Sequence, residues 1–376
     1  MIVTKSNAFD FHKETLFVKK VFVCALLFLT ILLTFGELYP RKSQKIDLST
    51  GAGISKMLRY DDAQVYLFGE THRCTEYQQF RNVLFKYLVK EKGVRVLVEE
   101  AGYATTFLEN ETVQGRLSFS DWLDRCTSSK EDYELYQWIA DWNSGREDAD
   151  KISIIGIDIT DNIGNMQMLC QYLLKTCNFT GADVQTQRLL TAIRKQNPFS
   201  SLQLQTFQDE FLPQLIELYQ TKPEQLENVL GTQAMHLERA LLGWQEALEQ
   251  QRLRGKAEQL GDSDDVYREN CLYENFMREY QERPDTKYYG EFGAAHVLMS
   301  DYSGKIYRVQ NSFVTRLAEE GSPLNGKLTV IDGGLTFEIG DLGKSDVNKA
   351  TLYNTTRAGP PIHKMNKFYM NSSAPD

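Results

Sequence analysis

Four short apolar runs along the chain each end in an acidic residue, a histidine or both. This pattern is typical of buried strands that reach the edge of a sheet and turn. The runs and the residues after them are 65–68 with Glu70 and His72, 94–98 with Glu99 and Glu100, 152–157 with Asp158, and 287–292 with His296. Because sites in open α/β sheets form at the carboxyl ends of strands, these side chains are expected to meet at one edge.

Helical periodicity separates these strands. Residues 76–92 carry apolar side chains at helical spacing, so 65–98 reads as a β-α-β unit, which predicts parallel strands. A second helical stretch covers about 103–145. Further strands are predicted at 305–310, 327–332 and 367–370.

Residues 161–283 contain no convincing strand pattern. Leucines between Leu226 and Leu248 mark a long helix, and another helix is predicted at 264–283. The chain is therefore predicted to be an α/β protein with a mainly parallel central sheet, flanking helices and a large all-helical insertion over the carboxyl-end edge. The predicted divisions are 1–40, 41–160 for the first part of the α/β domain, 161–283 for the insertion, and 284–376 for its second part.

The N-terminal segment predicts export. Residues 21–35 form an apolar run behind several lysines, which favours a signal peptide or a signal anchor over a buried helix. An uncleaved segment would attach the protein to a membrane, with its body in the extracytoplasmic cell envelope. Residues 36–62 read as a linker and an entry helix.

Charge and cysteine content restrict the class of function. The net charge is −9 and no basic cluster lies beyond the first twenty residues, which argues against a nucleic-acid partner. The six cysteines lack zinc-site spacing. Cys170 and Cys177 could form a disulfide in an oxidising compartment or remain free thiols. No Gly-x-Ser-x-Gly, phosphate-binding loop or His-Glu-x-x-His motif occurs, so a serine hydrolase or classical zinc peptidase is not expected.

Two of the five histidines follow strands in Gly-x-x-His motifs, at Gly69–His72 and Gly293–His296. The glycines are expected to let the backbone turn sharply, so that each histidine points back over a strand end. His236 and His363 have no acidic residue at a strand end and read as structural or surface residues. Cys74 is read as a bystander because a thiol nucleophile would need a base across space.

The acidic residues at the strand ends allow two interpretations each. Glu99 and Glu100 are adjacent and face opposite ways in extended backbone, so one would enter the site and the other would be solvated or capping. Asp158 would be either catalytic or the N-cap of the following helix.

The order of these motifs resembles the erythromycin esterase family over about residues 62–335. The resemblance rests on Gly-Glu-Thr-His, Glu76 and Arg81, Val-Leu-Val-Glu-Glu-Ala-Gly-Tyr, Trp138–Asn143, Ile155–Asp158, Arg268–Asn275 and Gly-Ala-Ala-His. It implies a site made of Glu70, His72, Glu100, Arg268 and His296. It places Glu100 rather than Glu99 there, since Ala101 and Tyr103 follow in register.

The wider superfamily includes Tiki-type metal-dependent proteases, which also have two Gly-x-x-His motifs, and haem-uptake proteins. This chain departs from the erythromycin esterases where Glu70 and His72 are only two residues apart and Arg73 follows. The departure disfavours macrolide hydrolysis as the activity.

The resemblance implies a hydrolase in which His72 activates water and in which Glu70 or Glu100 orients the imidazole of His72. His296 and Arg268 would stabilise an oxyanion or hold the substrate. The substrate would be a small molecule or peptide with an ester, lactone or amide bond. One alternative is a Tiki-like hydrolase with a divalent metal ion on His72, His296, Glu70 and Glu100. Another is an exported protein that binds haem or another ligand without catalysis.

Overall fold

The computed structural model describes most of the chain beyond residue 43. The described residues are 44–59, 61–72, 74–120, 129–159, 162–260, 265–299, 302–303, 308–309, 311–332, 349–354 and 366–371. The apolar run 21–35, the predicted segment 1–40, Arg73 and His363 lie outside them. No helix within these ranges is long and apolar enough to cross a membrane.

Within the described residues, eight strands form the main sheet and two more form a separate small one. The strands are β1 Gln44–Asp47, β2 Val65–Glu70, β3 Val94–Glu99, β4 Ser153–Gly156, β5 Lys287–Gly293, β6 Tyr302–Ser303, β7 Arg308–Val309, β8 Leu328–Asp332, β9 Lys349–Asn354 and β10 Asn366–Asn371. The main sheet has the order β1-β10-β9-β8-β2-β5-β3-β4. Its five strands from β8 to β4 are all parallel, which confirms the predicted α/β class.

The order of the strands differs from the simplest reading of the sequence. β2 and β3 run in the same direction, but β5 lies between them and pairs with both. The carboxyl end of β5 therefore lies between those of β2 and β3, beside both Glu70 and Glu99. This order brings the two Gly-x-x-His segments together, although more than two hundred residues separate them.

Three strand assignments need correction. The strand predicted at 305–310 does not join the main sheet, because β7 pairs only with β6 among the described residues. The strands β1 and β9 were not predicted. β1 pairs with β10 at one end of the strand order, and its one apolar residue, Ile46, is buried. Strands at the edge of a sheet are often short, so β1 lacks the longer apolar run that marks a central strand.

Helices connect the strands and cover both faces. They are α1 Ile54–Met57, α2 Thr75–Tyr87, α3 Tyr103–Val113, α4 Lys130–Asn143, α5 Ile163–Leu174, α6 Val184–Arg194, α7 Ser201–Thr206, α8 Leu212–Thr221, α9 Pro223–Leu230, α10 Ala234–Leu260, α11 Asp265–Glu282 and α12 Phe313–Leu317. The helix expected at 76–92 is α2 followed by a π-helical turn, Leu88–Lys92. The stretch expected at 103–145 contains two helices, α3 and α4.

Alternation along the strands divides the core between the two faces of the sheet. Tyr66 and Phe68 of β2 contribute to one apolar cluster, with α2 to α6 and the start of α10. Val65 and Leu67 contribute to the other, with α11 and α12. No strand occurs in the described part of the predicted insertion, 162–260 and 265–283. Its helices contribute to both cores, and its boundaries as a domain stay a prediction.

Candidate active site

The first part of the site is an exposed imidazole supported by a carboxylate. Glu70 is the last residue of β2, and its Oε1 lies 2.7 Å from Nδ1 of His72. The His72 side chain is 63% exposed, whereas that of Glu70 is 11% exposed. The hydrogen bond to Glu70 raises the pKa of His72, and the negative charge of Glu100 adds to this effect.

The second part is centred on Glu100, which follows β3. Its Oε2 accepts a hydrogen bond of 2.6 Å from the backbone N–H of Gly293, and its Oε1 accepts one of 2.7 Å from Nη2 of Arg268. Nε2 of His296 lies 3.2 Å from the same Oε1. Burial raises the pKa of Glu100, but the bond to His296 and the charges of His296 and Arg268 outweigh it and hold that pKa well below its usual value.

Arg268, near the start of α11, joins two of the strand-end acids. Its Nε and Nη2 donate to the two carboxylate oxygens of Asp158 at 3.0 and 2.6 Å, which is a bidentate pair. The Asp158 side chain is only 2% exposed. Asp158 does not cap α5, because Asn162 occupies the N-cap and accepts from the N–H of Gly164. The capping interpretation of Asp158 is therefore wrong.

His296 is buried between two carboxylates. Its Nδ1 bonds to Oε1 of Glu269, and its Nε2 faces Glu100. Burial would lower its pKa, but the hydrogen bonds and charges of Glu100 and Glu269 raise it to about 9. We therefore assign His296 as a charged imidazolium that donates from both nitrogens. Nη1 of Arg268 lies 3.2 Å from Nε2 of His296, and with this assignment that contact is between two donors and is not a hydrogen bond.

The two motif glycines allow close approach rather than a turn. Gly69 lies inside β2 and Gly293 is the last residue of β5, and neither has a positive φ angle. A Cβ on Gly69 would lie 2.3 Å from a methyl group of Val297. A Cβ on Gly293 would lie 2.9 Å from Nε2 of His72 and 3.5 Å from Oε2 of Glu100. His72 and Glu100 therefore approach the same point beside the backbone of Gly293.

The site brings the five residues named by the sequence resemblance to one edge of the sheet. The exposed His72 and its partner Glu70 form one part of it, and the largely enclosed side chains of Glu100, Arg268 and His296 form a second part, the buried network. Asp158 belongs to that network through its pair with Arg268, and a catalytic role for it stays a prediction. Glu269 was not predicted, although it directly follows Arg268 in α11. Its Oε2 also accepts from the N–H of Phe313, so it ties α12 to the site.

The position of Glu99 next to Glu100 suggested a solvated or capping residue, but Glu99 is neither. Its carboxylate accepts hydrogen bonds from the hydroxyl of Tyr136 at 3.0 and 3.1 Å on the opposite face of the sheet. It is also hydrogen-bonded to Glu109, and burial raises the pKa of both acids. The negative charge of Glu99 raises the pKa of Glu109 further.

The donor groups in this site do not fit a metal ion. Among the residues the structure describes, no group of three or more His, Cys, Asp or Glu side chains is arranged to hold one. Both oxygens of Glu100 accept from N–H groups, and both nitrogens of His296 face carboxylates. A metal on His72, His296, Glu70 and Glu100 would have to displace this network.

Four other residues considered from the sequence lie apart from the catalytic chemistry. Cys74 contacts Glu76, and burial raises the pKa of its thiol. His236 bonds through Nδ1 to the hydroxyl of Tyr103 at 2.7 Å, which fits a structural role. Cys170 and Cys177 are both free thiols, so the disulfide alternative is not formed.

The charge on His296 predicts a stability loss at alkaline pH. Its folded-state pKa of about 9 exceeds the ordinary value of 6.5, so its contribution is fully present below 6.5 and is lost as pH rises through 9. We expect the melting temperature of the wild-type protein to fall more steeply across this window than that of His296→Gln. Parallel thermal unfolding curves measure this, and equal slopes would contradict the assigned charge.

Comparison with known proteins supports the fold. No protein-family model matches the chain, and no curated protein does. A histidine-to-asparagine variant of the erythromycin esterase EreC in its open conformation is similar in structure, with a TM-score of 0.50 and 15% identity. The match covers 74% of this chain and 72% of that one.

A Bacillus cereus protein of known structure is similar to the same extent. Its TM-score is 0.50 at 18% identity, over 77% of this chain and 70% of the other. At such low identity these likenesses establish the fold and no more. The chain has the erythromycin esterase-like α/β fold.

Proposed function

We propose that this protein is a hydrolase in which His72 takes a proton from the water that attacks a carbonyl carbon. The observation that carries this proposal is the Glu70–His72 pair, a supported imidazole that stays accessible at the carboxyl edge of a parallel sheet. Exposed functional side chains at this edge are typical of enzymes with open α/β sheets.

Glu70 prepares His72 for this role. Its bond to Nδ1 fixes the proton of the neutral ring on that nitrogen and leaves the lone pair of Nε2 free. Nε2 is also the atom that lies beside Gly293 and Glu100. The raised pKa makes the ring a better base, and the ionised Glu70 stabilises the imidazolium that forms when the water loses its proton.

The buried network has a supporting role in this proposal. Nε and Nη2 of Arg268 donate to Asp158 and Glu100, and its Nη1 lies against Nε2 of His296. The two nitrogens of His296 face Glu269 and Glu100. Arg268 and His296 hold the carboxylate of Glu100, which in turn holds the N–H of Gly293. Binding of an oxyanion by Arg268 or His296, as the family resemblance implied, would require these pairs to open. We therefore assign both to positioning.

The reaction that fits best is hydrolysis of an ester, a lactone or an amide. The oxygen of the water bonds to the carbonyl carbon while His72 takes its proton. The bond to the leaving oxygen or nitrogen then breaks, and His72 returns the proton to that atom. The structural likeness to an erythromycin esterase favours the ester and lactone classes.

Turnover of ester, lactone and amide libraries by the purified chain tests this proposal. We expect hydrolysis of an ester or lactone at equal rates with and without a chelator, because the acidic and histidine ligands are already paired. Loss of activity in chelator would overturn the metal-free mechanism. Hydrolysis of none of the three bond classes would overturn the assignment as a hydrolase.

Export is part of the proposal, with a small molecule or a peptide as the substrate. The apolar run 21–35 behind basic residues motivates it. We expect the protein in the extracytoplasmic or membrane fraction of cells that express the full chain. Recovery of the unprocessed chain in the soluble cytosolic fraction would contradict export.

A further inference from the structure

We propose that Glu291 is a positioning residue that acts through Glu70 to set the pH range in which His72 serves as a base. The role rests on the proposed function of His72. Its test follows the ionisation of His72 directly, so it needs no substrate. Glu291 belongs neither to the Gly-x-x-His motifs nor to the network around Glu100.

The sheet places Glu291 beside Glu70. In β5, Glu291 pairs in register with Phe68 of β2 on one side and with Glu99 of β3 on the other. Glu70 is two residues beyond Phe68, so it points to the same face of the sheet as Phe68 and Glu291. Glu291 therefore lies one step below Glu70, on the side of Glu70 away from the strand end.

Arg81 of α2 holds one oxygen of Glu291 and leaves the other without a partner. Its Nη1 lies 3.1 Å from Oε2 of Glu291 and 2.7 Å from Oδ1 of Asp132, so one nitrogen serves two acids. Oε1 of Glu291 is buried and has no hydrogen-bond partner among the described residues. The side chain of Glu291 is 13% exposed.

The surroundings of Glu291 contain more acids than cations. The titratable and charged groups that interact with it are Glu70 of β2, Tyr289 of β5, Arg81 of α2 and Asp132 of α4. Its register partner Glu99 of β3 is in turn surrounded by Glu109 of α3 and Tyr136 of α4. Arg81 is the one cation in this set. An arrangement with every carboxyl group ionised would therefore be strongly unfavourable, and protons must be retained on some of these acids.

Glu291 is one of the acids that retain a proton. Burial raises its pKa to about 8, with the charge of Arg81 opposing the change and that of Glu70 adding to it. A neutral Glu291 leaves Glu70 free to carry the charge that supports His72. When Glu291 ionises, a second negative charge forms behind Glu70, and His72 then holds its proton more tightly.

His72 and Glu291 are thus interacting sites, and the ionisation of each one changes the pH at which the other titrates. The neutral fraction of His72 is measured from its rate of modification by diethyl pyrocarbonate at a series of pH values, with mass spectrometry of the peptide that contains it. We expect a broadened titration in the wild type. In Glu291→Gln, which cannot ionise, we expect a sharper curve with its midpoint lower by about 0.5 pH unit.

The matched control is Glu134→Gln, which removes a carboxylate from an exposed pair with Lys130 on α4. Its His72 titration should equal that of the wild type. If Glu291→Gln fails to fold, judged by circular dichroism, Arg81→Lys is the second test. It weakens the hold on Glu291, keeps that acid neutral to higher pH and should move the midpoint in the same direction.

An unchanged His72 midpoint in the folded Glu291→Gln or Arg81→Lys protein would overturn the proposal. A lowered midpoint in a protein that hydrolyses no substrate would support the coupling between Glu291 and His72 while refuting the proposed function. The two failures are therefore distinguishable. In an active enzyme, the low-pH limit of kcat/KM should move down together with the His72 midpoint.

Discussion

Replacement of His72 by alanine should lower kcat by roughly 10²–10⁴ while the fold remains intact, because removal of a general base costs about this much. The side chain is 63% exposed and its hydrogen bond is to Glu70 at the mouth of the site. Truncation of such a side chain usually changes the free energy of unfolding by about 0.5 kcal/mol or less. The measurements are turnover and urea unfolding of the same preparation.

His236→Ala is the matched control for this prediction. It removes an imidazole of the same kind, but one that bonds to Tyr103 rather than to Glu70. We expect it to retain turnover and to lose some stability, because it leaves the hydroxyl of Tyr103 without this bond. A His72→Ala protein with wild-type turnover would refute His72 as the base.

Replacement of Arg268 by alanine should have the largest effect on stability. It leaves the carboxylate of Asp158 buried without its bidentate partner, and it removes Arg268 from Glu100, which keeps His296 as its remaining cation. Removal of one partner from a buried ion pair typically costs about 3–5 kcal/mol. We expect a loss of this size in the free energy of unfolding and a loss of activity, because one of the two side chains that position Glu100 against the N–H of Gly293 is removed.

Two further variants establish whether the stability loss in Arg268→Ala comes from the lost hydrogen-bond geometry or from the lost charge. Arg268→Lys keeps the charge but cannot form the bidentate pair with Asp158, so it should recover part of the stability. Arg252→Ala removes an arginine from an exposed pair with Glu249 and should leave the free energy of unfolding nearly unchanged. If the loss in Arg268→Ala is no greater than that in Arg252→Ala, the buried network is not a stabilising element.

The central strands could be predicted because each is an apolar run that ends in a recognisable polar turn. β1 and β9 could not, because their sequences mix polar and apolar residues without a clear run. The position of β5 between β2 and β3 was also beyond the sequence pattern. Neighbours in sequence are usually neighbours in a sheet, and here a strand from far along the chain separates them.

The exposed part of the site was readable for the same reason as the strands. Glu70 and His72 directly follow an apolar run, so their place at the sheet edge follows from the pattern. Glu269 was missed because an acid inside a charged helix has no distinguishing local signal. Glu291 was missed because it lies within a strand, and only the packing of α2 shows which groups surround it. Both depend on contacts between distant segments, which spacing does not encode.

The buried network also shows where residue type and role diverge. Arg268 and His296 are residue types that commonly bind substrates or oxyanions, which is the role the family resemblance implied. Their pairing with Asp158, Glu100 and Glu269 assigns them to the support of the site instead. The sequence identified these side chains, but only the atoms they contact determine what they can do.

The most direct test of the account compares the ionisation of His72 with the pH dependence of catalysis. The pKa of His72 is measured by site-resolved nuclear magnetic resonance of its imidazole in the substrate-free protein, and the low-pH limit of kcat/KM is measured on a substrate found in the libraries. Because kcat/KM reports ionisations of the free enzyme, the account predicts that the two values coincide, above the ordinary value of 6.5. A kcat/KM that stays constant across the titration of His72 would contradict it.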